Sequence, residues 1–211
     1  RYAFINQGWD MMVVPAANLP PNLAALYRIH ELGGYDSLLH HDTVAMLRDV
    51  NGNKDPAPPE NGNMMFVKRQ ATREAIADAG ASWVVVPEPM NARSGEPINQ
   101  VFQAVPGPGR ASVNGQPAKV ISETFSSVEV EATGPGKLVL RDRMMPGWSA
   151  SVDGAQTALP DGRWRELDLS QGSHKVLYHY QPPGFKSFLI VGMFGLLLAI
   201  LATFVTSKPD E

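Results

Sequence analysis

The chain contains no cysteine, and this absence removes several classes of chemistry at the outset. Disulfide bridges, thiolate nucleophiles, cysteine-ligated zinc and cysteine-bound iron–sulfur clusters all need that side chain. Excess charge is also small, because 18 basic and 21 acidic residues give a formal net charge of −3. Nucleic-acid binding depends on a basic face that neutralises phosphates, so this balance argues against a nucleic-acid partner.

Nucleotide-binding and hydrolase motifs are missing as well. The sequence has no G-x-S-x-G elbow, no Walker loop and no dinucleotide fingerprint. Glycine and proline occur together at residues 105–110 and 133–137, but neither stretch has the strand, loop and helix order of a phosphate cradle. Both are predicted to be turns, and no cofactor is expected.

Candidate metal and acid–base residues are poorly placed for chemistry. His40, His41 and Asp42 resemble a metal site, but neighbouring residues of a helix point about 100° apart and seldom bind one ion. Nothing in the sequence brings two carboxylates to the separation that glycoside hydrolysis requires. The sequence therefore predicts neither a metal site nor a catalytic residue.

A long uncharged run lies near the end of the sequence. Residues 187–205 read SFLIVGMFGLLLAILATFV and contain no Asp, Glu, Lys or Arg. About 20 helical residues cross the ~30 Å hydrocarbon layer, so the run predicts one transmembrane helix over 186–206, followed by a short tail at 207–211. Gly192 and Gly195 lie three residues apart and would let a neighbouring helix approach closely.

Two hydrophobic periodicities divide the rest of the chain. Residues 1–95 combine short apolar runs with helical spacing broken at Gly33 and Gly34, which predicts a mixed α/β segment with two helices that turn at these glycines. Residues 100–182 alternate apolar and polar side chains between turn residues, which predicts an antiparallel β-sandwich or jelly-roll-like domain. The predicted fold class is α+β, with the sandwich close to the lipid surface.

The stretch MMPGWSASVDG reads as a turn, a strand and a second turn. Alternation places Trp148 and Val152 on the buried face of the strand and Ser151 outside. Asp153 and Gly154 then give the commonest signal for a tight hairpin. We interpret Trp148, Asp153 and Gly154 as structural residues.

Trp164, Glu166 and Asp168 alternate along another predicted strand and therefore share one of its faces. An aromatic ring beside acidic groups can bind a sugar, although a solvated face with a packed tryptophan is the commoner arrangement. With Tyr35 and Asp36, these residues form the candidate glycan or partner face of the sequence.

Several stretches together resemble the C-terminal region of the YfhO-like family of bacterial polytopic membrane proteins. They are NLPPNLAALYRIHELGGYDSLLHH, DRMMPGWSASVDG and GRWRELDLSQGSHKVLYHYQP, followed by the hydrophobic run. The matching positions are Asn22, Gly34, Tyr35, Asp36, Leu38, Pro146, Gly147, Trp148, Val152, Asp153, Gly154, Gly172, His174, Val176, Tyr178, Tyr180 and Pro182.

This resemblance implies a protein of the glycosyltransferase type that uses lipid-linked sugars, with the present region outside the cytoplasm and near the C-terminus. Such proteins carry many membrane spans ahead of this region, and their catalytic acidic loop lies among those early spans. This sequence contains none of them. The sequence begins at Arg1 without a recognisable leader, which suggests a processed product or a fragment of a longer protein.

Two interpretations follow from the sequence. In the first, the chain is a non-catalytic, membrane-anchored module on the extracytoplasmic side of a bacterial cytoplasmic membrane, an accessory or structural subunit that binds other membrane subunits. In the second, it is the C-terminal part of a glycosyltransferase-like enzyme, where Trp148 and the candidate face contact glycan or acceptor. The sequence favours the first.

Overall fold

The computed structural model describes residues 1–5, 23–35, 40–52, 64–88 and 99–206, and the structural statements below concern these residues. Their elements, in chain order, are β1 Tyr2–Phe4, α1 Leu23–Leu26, β2 Gly34–Tyr35, α2 His41–Val50, β3 Met64–Met65, α3 Arg73–Asp78, β4 Trp83–Glu88, β5 Asn99–Ala104, β6 Ala111–Val113, β7 Gln116–Pro117, β8 Lys119–Glu123, β9 Ser127–Arg143, β10 Trp148–Val152, β11 Ala155–Thr157, β12 Trp164–Tyr180 and α4 Phe185–Thr206. The α+β fold class predicted from the sequence is confirmed.

The first part of the chain forms a small α/β layer. β1 runs parallel to β4, β5 pairs antiparallel with the other edge of β4, and β2 pairs with β3 in a separate two-stranded sheet. The helices α2 and α3 bury Leu47 and Ile76 in the core of this layer. Thr72 starts α3 because its hydroxyl accepts a hydrogen bond from the Ala75 amide, at 3.2 Å.

The prediction of two helices meeting at Gly33 and Gly34 is wrong for the first helix. α1 ends at Leu26, and Arg28 adopts a positive φ of 55°. The following residues lie beside β1 instead, where the Tyr2 amide donates to the His30 carbonyl at 2.8 Å. Strand pairing with β1 satisfies backbone groups that a longer α1 would have satisfied internally, and it therefore overrides the helical spacing.

The second part is built on two long antiparallel strands, β9 and β12, which pair over nearly their whole length. Tyr180 of β12 pairs with Trp148, and Arg165 lies fifteen positions earlier on the same strand. A straight strand would separate positions 165 and 180 by about 50 Å. Yet the Arg165 guanidinium lies 3.3 Å from the centre of the Trp148 ring. The strand pair must therefore bend back on itself, which makes the two layers of the sandwich.

The bend lies where β9 and β12 carry Gly134 and Ser170. A Cβ atom on Gly134 would come within 1.9 Å of the Ser170 carbonyl oxygen, so only glycine permits this close approach. The prediction of a turn at residues 133–137 is therefore wrong in one respect, because β9 continues through them as a bent strand. The two layers enclose a core of Ala111, Val113, Val128, Val130, Ala132, Leu138, Leu140, Ala150, Leu167, Leu169, Val176 and Tyr178.

A tight hairpin connects β10 and β11. Asp153 and Gly154 occupy its two central positions with φ values of 50° and 86°, the geometry of a type I′ turn. Trp148 and Val152 pack against the sandwich core, whereas Ser151, which we expected outside, is buried. The reason is that β10 is an inner strand, so Ser151 lies between Gln156 of β11 and Leu177 of β12.

The sandwich leads directly into α4. Only residues 181–184 separate β12 from Phe185, and the Gln181 amide donates to the Gly147 carbonyl at 2.9 Å. Phe185–Thr203 is long and apolar enough to cross a membrane, and it is the one such helix among the described residues. The tail predicted at 207–211 lies outside the described residues.

Candidate functional site

Six charged or titratable side chains meet where the α/β layer adjoins the sandwich, and we call them the arginine cluster. The members come from the start of the chain, the segment after α1 and four places in the sandwich: Arg1, His30, Arg110, Glu123, Asp142 and Arg165.

Asp142 lies at the centre of the cluster and is almost fully buried, with 8% of its surface exposed. Its Oδ1 accepts hydrogen bonds from Arg1 Nη2 at 2.6 Å and from Arg110 Nε at 2.9 Å. Its Oδ2 accepts a hydrogen bond from Arg110 Nη2 at 2.6 Å, and Arg165 Nη1 lies 3.7 Å away. One carboxylate therefore binds two guanidinium groups by hydrogen bonds and a third by charge alone.

Glu123 supplies the second negative charge. Both of its oxygens accept hydrogen bonds from Arg110, each at 2.8 Å, in the two-pronged geometry that suits a guanidinium. His30 Nε2 lies 2.9 Å from the same carboxylate. Since His30 belongs to the α/β layer and Glu123 to β8, this contact also joins the two parts of the chain.

The environment changes the protonation of these groups. Burial alone would raise the pKa of Asp142, but the hydrogen bond from Arg110 and the charges of the three arginines outweigh it and lower the pKa to about 2. The hydrogen bonds from Arg110 also lower the pKa of Glu123. Burial, together with the charge of Arg110, lowers the pKa of His30. At neutral pH the cluster therefore contains three cations, two anions and a neutral imidazole.

Arg165 is the member that reaches into the sandwich. Its side chain stacks on the ring of Trp148, an arrangement in which the π-system attracts the cation. Burial lowers the pKa of Arg165 to about 10, against the raising effect of Asp142, so the group remains charged at neutral pH. Tyr178 is fully buried, its hydroxyl has no hydrogen-bond partner among the described residues, and burial raises its pKa.

Further contacts fasten the two parts of the chain to each other. The ring of Trp164, at the start of β12, packs against the core of the α/β layer. Arg163 Nη2 lies 2.7 Å from the carboxylate of Asp49, and Arg143 Nη1 donates to the Thr43 hydroxyl at 3.2 Å. The arginine cluster thus lies at the centre of an interface between two packed units, with Asp142 and the three arginines largely buried and with His30 and Glu123 partly exposed.

The arginine cluster was not predicted from the sequence, although the positions of Arg165 and Asp142 in their strands indicate it. Arg165 continues the buried phase of Leu167 and Leu169 in β12, and Asp142 continues that of Leu140 in β9. A charged residue at an apolar position of a strand needs a partner. Two such residues of opposite charge on neighbouring strands therefore predict a buried ion pair.

The candidate glycan or partner face is only partly assembled. Trp164, Glu166 and Asp168 do share one face of β12, opposite Arg165. The Trp164 ring is half-buried against the α/β core, and the Glu166 carboxylate lies 3.6 Å from Lys137 Nζ. Asp168 is exposed.

The remaining residues proposed for that face lie apart from it or outside the described residues. Tyr35 belongs to β2 and pairs with Met64, while Asp36 lies outside the described residues. Trp148 packs inside the sandwich, where its ring centre is 5.2 Å from that of Tyr180. Trp148 and Trp164 therefore do not form one surface.

Asp153, His174 and Ser170 have the connectivity of a hydrolytic triad. His174 Nδ1 lies 2.8 Å from the Asp153 carboxylate, and Nε2 lies 3.3 Å from the Ser170 hydroxyl. However, Nε2 is closer to the Ser170 carbonyl oxygen, at 3.1 Å, and a carbonyl can only accept. Because the Asp153 carboxylate and the Ser170 carbonyl both accept, this arrangement favours the protonated imidazole and raises its pKa, and a protonated imidazole cannot take a proton from Ser170.

The histidines near α2 have a structural role in the described residues. His40 starts α2, and its Nδ1 accepts a hydrogen bond from the Asp42 amide at 3.2 Å. His41 is exposed, with its Nδ1 3.3 Å from the carboxylate of Asp42. Within the described residues, no three metal-ligating side chains converge on one point.

Gly192 and Gly195 lie on α4, whose described side chains are exposed along the helix. A Cβ atom at either glycine would meet no other atom within 4 Å. The chain itself therefore does not require small residues at these positions.

Comparisons with family models, with curated proteins and with solved structures give no match for this chain. The resemblance to the YfhO-like family stays a prediction from the sequence.

Asp142→Asn removes the central charge of the arginine cluster while keeping the shape of the side chain. We expect the free energy of unfolding at pH 7 to fall by about 3–5 kcal/mol, because three buried guanidiniums lose their shared counter-ion. Urea unfolding of the full chain in mild detergent, followed by tryptophan fluorescence, measures this change. The exposed Asp161→Asn is the control, with an expected change below about 0.5 kcal/mol. Equal stabilities of the two variants would contradict the assignment.

The same residue predicts how stability depends on pH. The pKa of Asp142 is lowered from 3.8 to about 2 on folding, so its contribution is complete above pH 3.8 and is lost as the pH falls toward 2. The shift corresponds to about 2 kcal/mol. Unfolding measured between pH 6 and 2 should show this loss in the native chain and lack it in Asp142→Asn.

His174 should titrate at a higher pH than an ordinary histidine. The hydrogen bond to Asp153, aided by the Ser170 carbonyl, raises the pKa of His174 above its usual value of 6.5. The contribution of protonated His174 to the stability of the folded chain is therefore complete below pH 6.5 and is lost as the pH rises through the raised pKa. NMR titration of the imidazole should show that Asp153→Asn lowers the pKa and that Ser170→Ala, which keeps the carbonyl, leaves it raised. A normal pKa in the native chain would exclude the double-donor geometry.

Proposed function

We propose that the chain is a non-catalytic, membrane-anchored extracytoplasmic module that serves as an accessory or structural subunit of a larger membrane complex. One observation supports the proposal. The α/β layer and the sandwich are joined through the arginine cluster, and residues 181–184 then connect the sandwich to an apolar helix whose sides are exposed. Such a helix needs lipid or other helices around it, because apolar surface of this extent is unfavourable in water.

The helix offers a specific place for a partner. Gly192 and Gly195 lie about 60° apart around α4 and so share one side of the helix. Small residues at such positions let two helix backbones approach closely and gain dispersion contacts that lipid chains do not replace. The partners under this proposal are other membrane subunits, contacted through α4 and the adjoining end of the sandwich.

The chemistry of the described residues supports a role without catalysis. The charges of the arginine cluster pair with one another across an interface, and His174 lies between two acceptors that favour its protonated form. Neither arrangement supplies a base or a nucleophile to a substrate. Location in a bacterial cytoplasmic membrane, with the sandwich outside, is the part of the proposal that rests on the YfhO-like resemblance.

The second candidate is the C-terminal part of a lipid-linked-sugar glycosyltransferase of the YfhO-like type. The shared face of Glu166 and Asp168, with Trp164 at its edge, favours this alternative as a glycan or acceptor contact. In addition, the strands β10 and β12, which carry two of the resembling stretches, lie side by side in one sheet.

Replacement of both Gly192 and Gly195 by leucine tests the proposed subunit role. Because a Cβ atom at either site meets no other part of the chain within 4 Å and the helix surface around it is exposed, the fold should be unchanged, whereas a partner helix would be pushed away. When the tagged chain is purified from native membranes in mild detergent, the amount of partner recovered with it should fall at least about tenfold, which corresponds to about 1.4 kcal/mol of binding free energy. The control is Ile190→Phe with Leu197→Phe, which enlarges the opposite side of α4. Equal recovery of partners with the native chain, the leucine variant and the phenylalanine control would contradict the proposal.

Titration with oligosaccharides tests the second candidate. Binding at the candidate face should change the tryptophan fluorescence of the chain through Trp164, and Glu166→Ala with Asp168→Ala should abolish that change by removing the acceptors for sugar hydroxyls. Lys119→Gln, on the exposed strand β8, is the matched control. A flat titration with lipid-linked and free glycans would exclude glycan binding at this face.

A further inference from the structure

Phe125 is the most exposed large apolar residue in the described part of the chain outside α4. It lies in the turn between β8 and β9, and its relative exposure is 109%. Isolated apolar residues on a surface are common, so exposure alone gives no function. What distinguishes Phe125 is the rigidity of its turn and the position of that turn.

Local hydrogen bonds hold the turn in one conformation. The Thr124 amide donates to the Ser127 carbonyl at 2.9 Å, and the two hydroxyl groups of these residues are 2.7 Å apart. The Ser126 amide donates to the Thr124 hydroxyl at 3.2 Å. The exposed ring is therefore presented on a fixed backbone.

The turn lies directly beside the chain that enters α4. The Tyr180 amide donates to the Ser126 carbonyl at 2.7 Å, and α4 begins five residues later at Phe185. On the other side of Tyr180, the Gln181 amide bonds to Gly147. We call residues 124–127, 145–147 and 181–184 the juxtamembrane rim.

The composition of the juxtamembrane rim suits the boundary of a bilayer. Its residues are Thr, Phe, Ser, Ser, Met, Pro, Gly, Gln, Pro, Pro and Gly, without a charged side chain. The nearest charge before Phe125 in the sequence is Glu123, and its carboxylate is neutralised by two hydrogen bonds from Arg110. No charge of the rim therefore has to be dehydrated when it approaches lipid.

We propose that Phe125 inserts into the interfacial layer of the bilayer that α4 crosses, and that the juxtamembrane rim rests on that lipid surface. The inference rests on α4 being a membrane anchor, as proposed above. Aromatic rings are favoured at the level of the lipid headgroups, and the tether to α4 holds the ring close to that level. Two attachments, α4 and Phe125, would restrict the tilt of the sandwich relative to the membrane.

The absence of cysteine makes a direct test available. Phe125→Cys in the full chain is labelled with a polarity-sensitive fluorophore, and the protein is reconstituted into phosphatidylcholine vesicles. Gln171→Cys, exposed at the bend of the sandwich, is the matched control far from the rim. Leu197→Cys, in the middle of α4, reports on the anchor itself. Quenching is measured with iodide in the water and with nitroxide groups at shallow and deep positions of the lipid chains.

We expect the label at position 125 to be quenched by shallow nitroxides and to be at least about threefold less accessible to iodide than the label at 171, as for a side chain at the interface. Iodide quenching at 125 equal to that at 171, without lipid quenching, would overturn the inference. Protection at 125 from iodide and lipid alike would also overturn it, because a protein would then cover the ring.

The label at position 197 separates this inference from the proposed function. Deep-nitroxide quenching at 197 without any lipid quenching at 125 would leave the anchor in place and reject the insertion of Phe125. Loss of lipid quenching at 197 would reject the anchor, and with it the proposed function on which the inference rests.

Discussion

A single buried carboxylate, that of Asp142, determines how the parts of this molecule fit together. Three guanidinium groups lie around it, and without it they would repel one another in a region from which water is largely excluded. They arrive from the start of the chain, from the edge of β6 and from β12. The position of Asp142 in β9 therefore fixes the α/β layer, the sandwich edge and the stacking of Arg165 on Trp148 together.

The features predicted correctly are those encoded within a few residues. The I′ turn at Asp153 and Gly154, the alternation along β12 and the apolar helix α4 each follow from local spacing. The first helix was not predictable in this way, because β1 competes for the residues around His30 and lies far away in the sequence. Local sequence patterns give the conformational preference of a segment, and pairing with residues far away in the sequence decides which conformation the segment adopts.

The candidate site shows the same division. Alternation correctly placed Trp164, Glu166 and Asp168 on one face, but it could not show that the α/β layer covers part of the Trp164 ring. The arginine cluster needs side chains from six places, and only Arg165 and Asp142 carry a local sign of it. The contacts between Arg1 and Asp142 span 141 positions, and no sequence period reports a distance of that length.

The separation of 141 positions between Arg1 and Asp142 affects the order in which contacts form during biosynthesis. Contacts of high sequence separation form late, because the intervening chain must first be synthesised and its loop closed. Arg165 is the last member of the cluster to be translated, and α4 begins only 20 positions after it. The arginine cluster can therefore be completed only after residue 165 has left the ribosome, shortly before α4 follows. We expect the docking of the α/β layer on the sandwich and the entry of α4 into the bilayer to occur within the same short interval of biosynthesis.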